Sequence, residues 1–251
     1  MRLVRAEILK LRRRRGLMAW AALLTVGSVL VAYAVLLALH AANAVRHGPA
    51  GGAENLKNLS WLLTMIGGVA AVMVGTTAGS QDRAGGVFRD LVVTGRSRRT
   101  LFNVRVPGAL AVYLPLLATG FALAVAGSYA FAGGLATPSL HDVAHHGLAV
   151  GSFGVVTLVV AVALGSILPA RIATAVVIGW NAVLANTLAS FTVLGDARKA
   201  IDLSAAMHFA PSVLNEDVVV PMSTGTALLV LALWVAVSLR AGAWWTKRLD
   251  A

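Results

Sequence analysis

His141, Asp142, His145 and His146 stand in the order HDxxHH between Pro138 and Gly147. On a helix, His141 and His145 lie one turn apart on the same face. Two imidazoles so placed are candidate metal ligands, or a sensor of pH near neutrality, with His146 as a third candidate. The same residues also suit a solvated loop with no chemistry of its own. The spacing predicts a short helix, with Thr137 at its N-cap, Pro138 in its first turn and Gly147 after its end. Elsewhere the chemistry is sparse. None of the four lysines (Lys10, Lys57, Lys199, Lys247) follows a glycine in a phosphate-cradling GxxxxGK[ST] loop. GxSxG and HExxH are absent, and no apolar run carries a pair of carboxylates. The chain has no cysteine, which removes thiolate nucleophiles, disulfides and Cys-based metal sites.

A second group of polar residues lies inside an apolar run. Asn186 shares a helical face with Gly179, Val183 and Ser190, and Asn181 shares another with Ala185, Leu188 and Thr192. Asn181, Asn186 and Ser190 are candidates for lining a path through a membrane. The other reading is hydrogen bonding to a neighbouring helix.

The third group is the segment SQDRAGGVFRDLVVTGRSRRTLFNVR at 80–105, with six arginines and two aspartates. Asp82, Arg83, Gly86, Val87, Phe88, Arg89 and Leu91 read as a surface for a partner. Val87, Phe88 and Leu91 supply an apolar knob, the charges flank it, and Gly85 and Gly86 allow close approach. A helix is expected from Asp82 to Leu91, a turn at Thr94-Gly95, and Ser97 as the cap of the next helix. Arg96, Arg98, Arg99 and Arg105 are expected to face anionic head groups.

These residues need elements to hold them, and the composition says which. Of 251 residues, 58% are hydrophobic and 12% charged, with a net charge of +11. The mean hydropathy is +0.81. A soluble domain needs more polar surface, so a membrane protein is expected. The positive charge sits in short blocks between apolar runs rather than on one soluble face, which argues against nucleic acid. Six runs, at 17–40, 59–79, 106–133, 147–168, 172–194 and 223–242, are each long enough to cross the hydrocarbon core. Lipid-exposed backbone must satisfy its own hydrogen bonds, so each run is read as a helix. The first run is too long for the core of a cleaved signal peptide and is read as a retained span. The expected fold is therefore all-α and polytopic: a single transmembrane domain over 1–251, with 80–105 and 195–222 as its long loops. The 195–222 loop is expected to form short helices at the surface.

Lys and Arg set the orientation. Residues 1–16 hold seven, 80–105 six, 169–171 one and 240–251 three, against four in the remaining loops. The basic-inside rule then puts both termini and 80–105 in the cytoplasm of a cell that carries this chain in its plasma membrane. Trp20, Trp244 and Trp245 lie at that boundary, and Trp61 at the other. MRLVRAEILKLRRRR is amphipathic: Met1, Val4, Ile8 and Leu11 face one way, and Arg2, Arg5, Arg12 and Arg13 the other. A helix lying in the inner interface is expected. Small-residue patterns GTTAG (75–79) and GLAVG (147–151) permit close helix approach, and Pro115 is expected to kink the third run.

Taken together, Asp82, Gly86, Phe88, Arg89, Leu91, Thr94, Gly95, Ser97, Arg98 and Leu101, with this topology, resemble the permease subunit of type-2 ABC exporters. Asp82 stands where that family commonly has Glu, and Gly95 near where many members have Pro. The resemblance implies a non-catalytic transmembrane subunit that pairs with a second permease chain, like or unlike itself. It implies two cytoplasmic ATPase subunits that hold ATP and Mg, with no cofactor in this chain. It implies that 80–105 is the coupling element. The apolar spans lean towards a lipophilic, amphipathic or peptide cargo moved outward. Two other readings are a small membrane enzyme acting on lipid head groups through the histidine cluster, and a non-transporting anchor or sensor on the same fold.

Overall fold

Apolar runs of this length have no water to bond their amides, so the chain must close its hydrogen bonds within each run. In a computed structural model, which describes residues 2–87, 92, 93, 95, 97–210 and 220–248, every regular element is helical. Six helices are long and apolar enough to cross a membrane: Arg15–Ala42, Ala53–Ala84, Arg98–Ala130, Leu140–Ile167, Ala170–Ser190 and Thr224–Arg248. The all-α, six-span architecture expected from hydropathy is the one the chain adopts. The helices outrun the apolar runs where a cap extends them. The third span starts at Arg98 because Ser97 Oγ accepts from the Thr100 amide at 3.1 Å. The fourth starts at Leu140, where Ser139 and Asp142 form a capping box. The helix then runs through Gly147 without a break, so the separate short helix expected at the histidines does not form.

The second and fourth spans are the most buried and pack on each other most extensively. Small residues allow it. A Cβ on Gly75 would lie 2.7 Å from both Ala161 Cβ and Leu158 O, and one on Gly165 would lie 2.7 Å from Thr76 O. GTTAG is thus a packing motif in fact, whereas Gly151 of GLAVG has nothing within 4 Å of an added Cβ. The first span is the least buried. Tyr33 holds it to the third span by donating to Ala124 O at 2.6 Å. The third span is one helix through both Pro107 and Pro115.

The N-terminal helix, Arg2–Arg13, exposes Arg2, Arg5, Arg12 and Arg13 and buries Leu11, as its pattern predicts. It also buries Glu7 and rests on the third span, where Glu7 Cβ sits 2.6 Å from the place of a Cβ on Gly108. It is therefore docked on protein as well as lying at the boundary. On the opposite side, a 3-10 stretch, Thr192–Ala200, leads into a six-residue helix, Asp202–Met207. That helix does not lie on the surface as expected: all six of its residues are buried against the fourth, fifth and sixth spans. Its hold comes from two indoles, Trp180 Nε1 donating to Asp202 and Trp234 Nε1 donating to Ala200 O.

Candidate functional site

The basic segment is narrowest at its base, and the base is built from opposite charges. Asp82, in the last turn of the second span, accepts from Arg105 Nη2 at 3.0 Å and from Lys10 Nζ at 2.8 Å. Asp82 and Arg105 are 3% and 2% exposed, so this pair is buried rather than solvated. Lys10 also reaches Glu7 at 2.6 Å, and Gln81 Nε2 donates to Glu7 Oε2 at 3.4 Å. Arg105 Nη1 donates to Gly79 O and Ser166 Oγ at 3.1 and 3.3 Å. Two acids and two bases thus neutralise each other where the N-terminal helix and the second, third and fourth spans meet. A buried charge is stable only when paired and hydrogen-bonded in this way. Burial pushes the Glu7 carboxyl above its usual range, against the pull of Lys10.

Arg83, one residue on, answers a different need. The last carbonyls of a helix have no intrahelical partner. The Arg83 guanidinium donates to the carbonyls of Gly165, Ser166, Ile167 and Leu168 at 2.6 to 3.5 Å, closing the end of the fourth span. A cation there also suits the helix dipole. Asp82 and Arg83 are therefore engaged within the chain and do not present themselves to a partner. Arg105, expected to face lipid, is the most buried arginine at the base. Arg98 also looks inward, donating to Lys247 O at the end of the sixth span.

Beyond the base the second span ends at Ala84, earlier than the expected helix to Leu91. Gly86 at φ +70 takes the left-handed conformation that stops it. Gly86 and Val87 are exposed, Val87 at 45%. Phe88, Arg89 and Leu91 lie outside the described residues, as do Thr94 and Arg96. The turn at Gly95 is present, at φ +81, with its amide donating to Val92 O.

No protein-family model matches the chain, and no curated protein is significantly similar to it.

Asn181 and Asn186 are brought together by a turn of π-helix, Trp180–Leu184, within the fifth span. Such turns insert one residue and often occur at functional positions. Asn186 Nδ2 donates to Asn181 O at 3.1 Å, and Ser190 Oγ donates to Asn186 O at 2.9 Å. The π-turn rotates Asn181 towards the fourth span, where Nδ2 meets Thr157 Oγ1 at 3.4 Å. Its Oδ1 has no partner among the described residues. Asn181 is the one polar residue lining a cavity of about 200 Å³, whose walls include Met65, Gly68, Val72, Phe153 and Ile178. Of the three candidates for a path, Asn181 meets this cavity, while Asn186 and Ser190 bond back to the helix that carries them.

The histidines do not converge. His141 and His145 stack with ring centroids 4.0 Å apart, and His145 Nδ1 bonds Phe209 O at 2.8 Å. His146 turns to the buried side. Among the described residues no three His, Asp or Glu side chains form a set for a metal ion.

Pattern alone does not single out Lys10, Glu7 and Ser166, nor the inward role of Arg105. One signal is present in the sequence. Glu7 is the lone acid of a basic helix and stands between Val4 and Leu11, on the side that packs.

Proposed function

We propose that the chain is the permease subunit of an ATP-driven exporter of the type-2 ABC class, with both termini cytoplasmic. The observation that carries the reading is the neutral, buried base of the 80–105 segment. Asp82 and Arg105 close the segment at its two ends, and Lys10 and Arg83 bind that closure to the N-terminal helix and the fourth span. A loop so mounted moves with four helices at once rather than by itself. That is what an element receiving force from a separate ATPase requires. The exposed Gly86 and Val87 begin the part that would meet the ATPase, and the neighbouring Phe88, Arg89 and Leu91 would complete it. ATP and Mg belong to that partner, and the chain itself is non-catalytic.

The cavity at Asn181 supports a path at the second and fifth spans. Met65, Ile66, Val69 and Ala182 line it on a side that the rest of the chain leaves uncovered. A second permease chain would close it. One amide among apolar walls suits a lipophilic or amphipathic cargo that carries a hydrogen-bond donor.

The test uses the cysteine-free background. Val87→Cys, carrying a photo-crosslinker in native membranes, should join the chain to a nucleotide-hydrolysing subunit, and Ser139→Cys should not. The complex should hydrolyse ATP and the isolated chain should not. A Val87 adduct with no ATPase, or equal adducts from Val87 and Ser139, would defeat the reading.

A further inference from the structure

A groove of about 480 Å³ lies between the first and second spans, on the half of the bundle nearest the 43–52 turn. Val31, Val35 and Leu36 form one wall, and Leu59, Leu62 and Ile66 the other. Tyr33 ties this part of the first span to the third rather than to the second. We propose that the groove is a binding site for one acyl chain of a membrane phospholipid, with the ester region of that lipid at Asn58.

The dimensions select the occupant. Along the second span the groove runs from Asn55 to Ile66, which is about 16 Å at ~1.5 Å per residue. That length is about half of the ~30 Å hydrocarbon core, the depth of one leaflet. Dividing 480 Å³ by about 16 Å leaves a mean section of roughly 30 Å², or about 6 Å across, where a helix with its side chains needs ~10–12 Å. An extended hydrocarbon chain fits this width, and a span of a second copy does not.

The polarity runs the same way as a lipid. Ser28, at the deep end, has its hydroxyl bound to Leu24 O at 2.9 Å, so the floor of the groove offers no free polar group from that residue. At the other end, Asn55 Nδ2 is held by Pro49 O and Gly51 O. Asn58 is exposed and makes no hydrogen bond to a described residue, which leaves its amide to donate to an ester carbonyl. Lys57 beside it pairs with Glu54 at 3.2 Å. The rim is therefore close to neutral, so the site recognises chain and ester rather than the charge of the head group. This site needs only the arrangement of the first two spans and does not depend on the transport reading.

Native mass spectrometry of the full chain, stripped of lipid and then titrated with dioleoyl-phosphatidylcholine, tests it. One tightly held lipid is expected. Asn58→Leu should weaken its retention roughly fivefold, the loss of one hydrogen bond. Val35→Trp should fill the groove and abolish retention. Replacing the choline head group by glycerol should change affinity less than about twofold, since the rim carries little net charge. Three results would overturn the proposal: equal retention by Val35→Trp and the parent, occupancy by detergent alone with no response to lipid, or disulfide-linked pairs of Val35→Cys chains in native membranes. The last would mark the groove as an interface between copies. Where Val35→Trp fails to fold, Asn58→Leu decides, and retention equal to the parent's refutes the site.

Discussion

Replacing Arg105 by Met keeps the apolar length of the side chain and deletes every donor at the base of the basic segment. The bond to Asp82 is charge-assisted and contributes about 1.5–3 kcal/mol, and the bond to Gly79 O about 1 kcal/mol more. Gly79 O keeps Ser166 Oγ at 3.3 Å, so it is not stranded. Asp82 keeps Lys10 but loses its buried partner. The cost should fall near the low end of the ~3–5 kcal/mol seen when one member of a buried pair is removed. Arg99→Met, at an exposed position, should stay within about 0.5 kcal/mol. Adding Asp82→Asn to Arg105→Met should cost less than the two separately, with an interaction energy of about 2 kcal/mol. Because the pair is buried, raising the salt from low to physiological strength should change the difference little. The assay is equilibrium unfolding in mixed micelles, followed by helix content and by the reactivity of an engineered cysteine. If Arg105→Met is no more destabilising than Arg99→Met, the ion cluster does not hold the base together and the mechanical reasoning fails with it.

Gly79→Ala should destabilise by about 1–3 kcal/mol in the same assay, because a Cβ there collides with the Val162 carbonyl and the Gly165 backbone, whereas Gly151→Ala should be neutral. Burial raises the Asp202 carboxyl, so the folded state keeps its proton to higher pH than the unfolded chain does. Stability from this group is full below the ordinary carboxylate range, near about 4, and is lost as pH rises through the folded value. Asp202→Asn, which can still accept from Trp180, should flatten that dependence, and an unchanged pH profile would count against the assignment. Cysteines at Ser97 and Ser139 should react with an impermeant reagent from opposite sides of sealed vesicles, and labelling of both from one side would refute the orientation.

The spans are legible in the sequence because an apolar run of about 20 residues leaves the backbone one solution in lipid. The caps are partly legible: Ser97 reads as the cap of the third span and is. The cap of the fourth lies two residues beyond the expected one, at Ser139 rather than Thr137, because Asp142 completes a reciprocal box that Thr137 cannot make. What sequence does not show is convergence between distant residues. Arg83 and Arg105 look like two more flanking cations beside Arg98 and Arg99, and only the packing reveals that one finds four carbonyls and the other an acid 23 residues away. GTTAG and GLAVG look alike for the same reason, since what distinguishes them is the helix opposite. The π-turn at Trp180–Leu184 has no compositional mark, so it displaces the faces that a regular helical period assigns to Asn181 and Asn186.

The distance along the chain between Arg83 and its acceptors has a meaning for biogenesis. Synthesis delivers Glu7, Lys10, Asp82 and Arg105 first, and these four can neutralise one another as soon as the third span begins. The carbonyls that receive Arg83 lie 82 to 85 residues further on. They do not exist until the fourth span has been made. The nascent chain thus carries a bare guanidinium at the membrane boundary through the insertion of two further spans, where it can act as a topological anchor. The arrival of the fourth span then converts that anchor into a helix cap. One arginine serves first to orient the chain and afterwards to lock it.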